Sequence, residues 1–281
     1  MTINECLKQQ KVLLESHNIP TAYLDSELII SYVLNKERSW ILARPEYRLN
    51  SKDLSNIQTL CNRRASHEPI AYLIGKQEFY GRDFIVSPDT LTPRPETETM
   101  VELLLSQVEN LRSKVESVNI IDVGTGSGCI VITAALEISN FELRNTRFEY
   151  FGLDISTPAL KIACENAKRH KVDIKFKKFD LIKNTFDLQE SSFNIFLANL
   201  PYVPKNFNIN LAATHEPNFA IFGGDDGLDY YRLLFDKIHK INSLVITESL
   251  PFQHTELSKI ARKNEFKLIN SSDFIQVFSS K

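Results

Sequence analysis

The chain has 281 residues, 43% hydrophobic, 24% charged and 10% aromatic, a balance that buries a real core and excludes a disordered chain. Thirty-three Lys and Arg face 35 Asp and Glu, a formal net charge of −2, so no global positive field draws the protein onto nucleic acid and no stable nucleic-acid binding is expected. Cys6, Cys61, Cys129 and Cys164 are scattered without CxxC or His partners at ligand spacing, so neither a metal site nor a redox pair is expected. No stretch approaches the ~18 apolar residues that span a bilayer, and "MTINECLKQQKVLLES" lacks the pattern of a secretory leader, which predicts a cytoplasmic protein.

From residue 3 to about 67 the apolar spacing is helical. In "SKDLSNIQTLCNRR" Ser51 is a natural N-cap, with Leu54, Ile57, Leu60 and Cys61 on one face. The segment from Glu68 to Glu98 changes character. "QEFYGRDFIV" predicts a hairpin with Gly81 at the turn, and Pro88, Pro93 and Pro95 predict an extended path after it. A helix from about Glu98 to Leu111 follows. This gives a helical domain over 1–70, a bridge over 71–97 and a second domain over 98–281.

Beyond residue 118, short β-rich runs alternate with amphipathic helical stretches. The runs are 118–123, 147–155, 174–180, 193–199 and 243–249, and Ser156 is a candidate N-cap for the helix after the second. Such alternation predicts an α/β domain with a mainly parallel sheet covered on both faces.

After the first run comes "DVGTGSG", so Gly124, Gly126 and Gly128 fall where a strand ends and a helix begins, the place at which a ligand approaches the backbone of an open α/β sheet. A dinucleotide fingerprint would place its third glycine at 129, which is Cys129, so a pyrophosphate ligand is disfavoured. Asp154 ends the second run and is placed to accept from ribose hydroxyls; Asp180 ends the third and could accept from an adenine amino group. A glycine turn framed by Asp122 suits a cationic ligand. A G-x-G-x-G taken alone is also an ordinary tight strand-to-helix turn; with the three acids in register the set resembles the class I S-adenosylmethionine-dependent methyltransferases.

"ANLPY" ends the fourth run at the same carboxyl edge. An amide or exocyclic amino nitrogen is a poor nucleophile because its lone pair is delocalised, and two acceptors aimed at its hydrogens hold it and favour charge build-up as a methyl group arrives. Asn199 offers its side-chain oxygen and Leu200 its carbonyl, Pro201 restricts the path of Leu200, and Tyr202 can pack its ring on a planar amide or base. In isolation such a tetrapeptide is also a proline turn closing a buried strand.

These blocks, with "SHEPIAYLIGKQEFYG" (66–81), "TPRPETE" (92–98) and "HEPNFAIFGGDDGLDYYR" (215–232), resemble the glutamine N5-methyltransferases of peptide-chain release factors, the HemK/PrmC family, over nearly the whole chain. The resemblance implies a Rossmann-like class I S-adenosylmethionine-dependent methyltransferase domain with a mainly parallel seven-stranded sheet, preceded by a helical bundle that contacts the release factor and a β-hairpin linker. It implies the cofactor S-adenosyl-L-methionine and the product S-adenosyl-L-homocysteine. The cofactor would be held by Asp122, Gly124, Thr125, Gly126, Gly128, Asp154, Asp180, Leu181 and Asn199. The substrate implied is the glutamine of the GGQ loop of class 1 release factors, held by Asn199, Leu200, Pro201 and Tyr202, with Pro93, Arg94, Glu96 and Glu216 beside it, and the enzyme is expected to be a monomer.

The family reads Asn-Pro-Pro-Tyr where this chain has Leu200. A backbone carbonyl survives that change, and an N–H is added. Before the fifth run the usual glycine pair is absent, and the C-terminal strand pair reads as clipped at "DFIQVFSSK". "NLPY" is also the form found in ribosomal RNA adenine dimethyltransferases, which differ elsewhere; a methyltransferase of a ribosomal-protein glutamine and an inactive cofactor-binding adaptor of the translation machinery are the remaining alternatives. His215 beside a helix-capping Glu216 reads as structural.

Overall fold

In the computed structural model, which describes residues 1–111, 115–141, 146–188 and 192–280, the helical spacing of the N-terminus builds α1 (Ile3–Ser16), α2 (Ala22–Leu34), α3 (Arg38–Leu42), α4 (Ser51–Ala65) and α5 (Ile70–Ile74). Thr2 and Glu5 close a capping box on α1: the Thr2 hydroxyl accepts from Glu5 N at 3.2 Å, and Thr2 N donates to the Glu5 carboxylate at 2.8 Å. The cap of α4 is Asn50 rather than Ser51: Asn50 Oδ1 accepts from Asp53 N at 2.9 Å and Ser51 is already helical. Both residue types cap well, and the one standing three before a free amide wins. Ile3, Leu7, Ile29, Ile30, Ile41, Ile57, Cys61 and Leu73 form the core of this unit. Within it Arg64 Nε meets Asp25 Oδ2 at 2.6 Å with both side chains buried, a pair whose mutual hydrogen bonding offsets the cost of desolvation.

Two units emerge, residues Met1–Lys76 with Ile209–His215, and Gln77–Asn208 with Glu216–Lys281. The second begins in the hairpin of β1 (Lys76–Phe79) and β2 (Arg82–Ile85). Its two turn residues, Tyr80 and Gly81, both have positive φ (53° and 74°), the geometry that matches the twist of a tight hairpin. The extended path expected of the prolines holds only over 91–94, around Pro93: Pro88 sits in a turn closed by Thr90 N donating to Ser87 O at 3.0 Å. Pro95 opens a 3-10 turn, Pro95–Thr97, because its fixed φ suits a first helical position, and the turn runs into α6 (Glu98–Asn110).

The remaining elements are β3 (Ser117–Val123), α7 (Cys129–Ile138), β4 (Arg147–Asp154), α8 (Thr157–His170), β5 (Lys175–Lys178), β6 (Phe193–Ala198), α9 (Asn218–Ile221), α10 (Asp229–Ile238), β7 (Ser243–Glu248), α11 (His254–Lys263), β8 (Phe266–Ser272) and β9 (Ile275–Ser280). Ser156 caps α8 as expected, accepting from Ala159 N at 3.2 Å. The hairpin is seated on α8: Asn166 Oδ1 accepts from Ile85 N at 2.7 Å, and Asn166 Nδ2 donates to Ile85 O at 2.9 Å.

Seven strands form one sheet in the order β5-β4-β3-β6-β7-β9-β8, parallel except for β9, which is antiparallel to both neighbours. The alternation of strand residues splits the core in two. Val118, Ile120, Leu197 and Ile246 pack with α6 and α7, whereas Ile121, Val123, Phe196 and Val245 pack with α10 and α11. The C-terminal strands pair with each other and with the rest of the sheet. β9 lies in register with β7 from Leu244↔Ser279 to Glu248↔Ile275, and Phe278 stacks edge-on to Phe235 of α10 at 5.4 Å, so the burial of Phe266, Ile275, Val277 and Phe278 secures it. Among the described residues no helix is long and apolar enough to cross a membrane.

Candidate active site

The chain builds β3, β4 and β5 outward in one direction and then returns to lay β6 on the other side of β3. Ligands of open α/β sheets bind at this reversal, outside the carboxyl ends of the strands. A cavity of about 420 Å³ lies there, its wall including Gly124 to Ser127, Asp154, Asp180 to Ile182 and Asn199 to Pro201. That is the size of a small-molecule site.

On the β3 side the turn is shaped by backbone. Gly124, Gly126 and Gly128 have φ of 79°, 54° and 81°, values that favour glycine. The amides of Gly124 and Thr125 both donate to Leu153 O, at 2.8 and 2.9 Å, and Gly126 N donates to Asp154 Oδ2 at 2.9 Å. A Cβ on Gly126 would meet nothing within 4 Å, so this glycine leaves open space on the wall. Gly128 has a different reason to be glycine: a Cβ there would meet Ile132 Cδ1 at 2.9 Å and Ala163 Cβ at 3.2 Å, so its bareness serves the packing of α7 on α8, and it is not in the wall.

The three acids separate by environment. Asp122 is fully buried behind the wall; Thr125 Oγ1 donates to its Oδ2 at 2.7 Å while Oδ1 has no partner, and burial pushes its carboxyl up to about 7. Asp154 is in the wall with one oxygen accepting from Gly126 N and the other from Ser156 N at 2.8 Å; burial raises its pKa against those bonds. Each oxygen keeps a further lone pair. Asp180 is held below the usual carboxylate range by the amide of Ile182, which donates to Oδ1 at 2.9 Å, and by Lys183. Leu181 and Cys129 also line the cavity.

On the β6 side the turn is wired through side chains. Asn199 Nδ2 donates to Thr97 Oγ1 at 3.2 Å, and among the described residues none donates to its Oδ1. Leu200 is buried, with its Cδ2 3.4 Å from where a Cβ on Gly124 would sit, so side-chain packing anchors the position that a second proline would stiffen. The Tyr231 hydroxyl lies 3.4 Å from Leu200 O, but its proton goes to the closer carbonyl of Glu248. Tyr202 is outside the wall; its hydroxyl donates to Glu248 Oε1 at 2.9 Å.

The glycine-rich block 223–228 supports this turn from below. A Cβ on Gly223 would lie 2.2 Å from Pro201 O and one on Gly227 2.0 Å from Tyr202 O, while Gln253 Nε2 donates to both Tyr202 O (2.8 Å) and Asp226 O (2.7 Å). Pro93 and Arg94 line the cavity. Arg94 Nη2 meets Glu216 Oε2 at 2.7 Å, and Glu216 is buried in that ion pair; it caps no helix, since α9 begins after Pro217 without a side-chain cap. His215 Nε2 lies 3.1 Å from Ser66 O. Thr97, Glu248 and Gln253 escaped the sequence reading. Glu248 closes its strand as Asp122 and Asp154 close the neighbourhood of theirs, and that rule extended to "LVITES" would have found it.

A seven-stranded sheet in this order, a glycine turn braced on buried acids and an Asn-x-Pro-Tyr turn on the adjoining strand define a class I S-adenosylmethionine-dependent methyltransferase. Residues 5–75 match the PrmC N-terminal domain and residues 114–222 a methyltransferase domain. The chain is 34% identical over 241 residues to a release factor glutamine methyltransferase of Koribacter versatilis, covering 85% of this chain and 81% of that one. It is 34% identical over 216 residues to the Bacillus subtilis enzyme of the same description, covering 76% and 72%. Against a bifunctional methyltransferase of Rickettsia bellii it is 29% identical over 304 residues, covering 98% of this chain and 53% of the relative, so it spans about half the length of that protein. The chain belongs to the release factor glutamine methyltransferase family.

Proposed function

We propose that the protein transfers a methyl group from S-adenosyl-L-methionine to the side-chain amide nitrogen, N5, of the glutamine in the GGQ motif of class 1 peptide chain release factors, leaving S-adenosyl-L-homocysteine. The observation that carries the reading is one cavity wall shared by the glycine turn and by Asn199, whose Nδ2 is engaged by Thr97 and whose Oδ1 is free to accept.

The cavity fits the cofactor in its donor set. Asp154 has lone pairs left for ribose hydroxyls, Asp180 stays ionised to accept from the adenine amino group, Leu181 packs the base, and Gly124, Thr125 and Gly126 let it approach the backbone. The orphaned Oδ1 of Asp122 puts a buried acceptor behind a turn suited to a cationic ligand. When bound, S-adenosylmethionine supplies an electrophilic methyl group on a sulfonium.

The acceptor turn does the rest. Asn199 Oδ1 and the Leu200 carbonyl accept the two hydrogens of the glutamine amide, which fixes the nitrogen and favours positive charge on it. Pro201 walls the planar amide, Tyr202 braces the turn from outside the cavity through its bond to Glu248, and the pair of Arg94 with Glu216 borders the approach. The proton on the alkylated nitrogen is acidic and leaves without a general base. The helical unit serves as the release-factor contact, and the enzyme works as a cytoplasmic monomer. The match of residues 5–75 to the PrmC N-terminal domain favours this substrate over ribosomal RNA, as does the near-neutral charge.

The test offers radiolabelled donor to release factor, ribosomal RNA and ribosomal proteins side by side. Label on the GGQ glutamine is expected; label on RNA or on a ribosomal protein overturns the assignment.

A further inference from the structure

A backbone carbonyl that is to accept from a ligand has two needs: it must be held in one direction, and it must not already be spent on another donor. For Leu200 O both are met by one residue of α10.

The ladder between β6 and β7 runs from Asn194↔Ser243 to Ala198↔Thr247 and ends there. In the fork beyond that last rung stands the hydroxyl of Tyr231, a residue with 0% exposure whose ring belongs to the core that holds Phe196, Leu200 and Val245. It reaches three backbone carbonyls: Glu248 O, the nearest, Ala198 O at 3.2 Å and Leu200 O at 3.4 Å. Ala198 and Leu200 are two apart on a path that Pro201 keeps extended, so their carbonyls turn to the same edge. Among the described residues no group other than this hydroxyl donates to Leu200 O.

One hydroxyl carries one proton, and three carbonyls cannot all have it. Burial holds the Tyr231 hydroxyl well above its ordinary pKa, so the proton stays on it. It goes to Glu248 O, which fastens the hydroxyl to the end of β7. Ala198 O and Leu200 O then meet a fixed oxygen with no proton left to give. That oxygen stops the turn from falling toward β7, and Leu200 O keeps its accepting capacity for a ligand in the cavity that Leu200 lines.

We propose that Tyr231 is a positioning residue of methyl transfer: its hydroxyl, fastened to the end of β7, sets where the Leu200 carbonyl points and leaves it unspent for a hydrogen of the substrate amide. The role in turnover rests on the methyl-transfer reading above; the contacts do not. A proline at 200 would hold its carbonyl through its own ring; with leucine there, the constraint comes from a side chain 31 residues away.

The test compares the hydroxyl in two backgrounds of the full chain, with Leu and with Pro at position 200. Tyr231→Phe keeps the ring and its packing and removes only the hydroxyl. Leu200→Pro locks φ and breaks no bond, since among the described residues nothing accepts from Leu200 N. With Leu200 in place, Tyr231→Phe should cost release-factor methylation about tenfold in kcat, while KM and S-adenosylmethionine affinity by calorimetry each move less than about twofold. On Leu200→Pro the same substitution should cost less than about threefold, because the ring already holds the carbonyl. A second measurement needs no turnover. The chain has two Leu-Pro bonds, Leu200–Pro201 and Leu250–Pro251, so carbonyl-13C leucine with 15N proline gives two NMR correlations, and the one lost in Leu200→Pro belongs to Leu200. In ligand-free Tyr231→Phe that signal should move. A purely structural hydroxyl would lower the unfolding midpoint and leave both kcat and the Leu200 signal in place. Wild-type kcat in Tyr231→Phe, a loss carried in KM alone, an equal loss in both backgrounds, or an unmoved Leu200 signal overturns the proposal. A wild-type enzyme that leaves the release-factor glutamine unmethylated defeats the functional reading instead, and the carbonyl signal still decides whether Tyr231 holds Leu200.

Discussion

Two turns leave adjacent parallel strands, one after β3 and one after β6, and they are built by opposite means. The first is a backbone object: three positive-φ glycines, amides tied to Leu153 O, and one carboxylate, Asp154, reaching across from the neighbouring strand. The second holds Asn199 and the turn after it through partners scattered over the chain, with Thr97 before α6, Glu248 and Gln253 after β7 begins, and the block around Gly227. A backbone-shaped turn tolerates its surroundings. A side-chain-wired turn inherits the fate of every residue that supports it.

Asn199→Ala should split the two halves most sharply. Methylation of the release factor is expected to fall ~100-fold or more, as when a transition-state hydrogen bond is deleted, while calorimetry shows donor affinity nearly unchanged. Full turnover in that variant would remove Asn199 from the methyl-transfer mechanism. Next in size is Gly227→Ala, which strikes the second turn from a distance. Its Cβ would sit 2.0 Å from Tyr202 O and 2.4 Å from Gln253 Nε2 at a φ of 80°, so denaturant titration should register a loss of about 2–3 kcal/mol, with methylation falling alongside.

Asp154→Ala attacks the first turn and should weaken S-adenosylmethionine binding about tenfold or more, read by calorimetry, since it removes an acceptor and frees the amides of Gly126 and Ser156. The smallest effect is a slope. Asp122 holds its proton up to about 7 in the folded protein against an ordinary 3.8, so between those values the folded state binds more protons than the unfolded one, and stability falls as pH rises through that window. The contribution is at most about 1.4 kcal/mol per pH unit, and Asp122→Asn should flatten the midpoint-versus-pH curve by that amount.

The same contrast explains what could be read from the residues. The glycine turn, the strands around it and the capped helix after Ser156 were legible because backbone geometry restricts residue type at fixed spacing. The Asn-Leu-Pro-Tyr turn was legible as a motif, yet its support was not: Thr97 stands 102 residues from Asn199 and Glu248 stands 46 from Tyr202, separations that no local pattern reports. Leu200 shows the limit from the other side. In sequence it is a lost proline; in space it is a buried side chain lying against Gly124, which replaces ring rigidity by packing. The seat of the C-terminal strands depends on β7, more than twenty residues earlier, and Asn50 displaced Ser51 as a cap by a single position.

Cys129 lines the same cavity, at the first position of α7, where a helix N-terminus ordinarily turns a thiol into a ready nucleophile. Burial overrides that tendency and pushes the Cys129 thiol up to about 12. Held as a neutral thiol, Cys129 gives the cavity a small apolar patch where a thiolate would have placed a charge and a nucleophile.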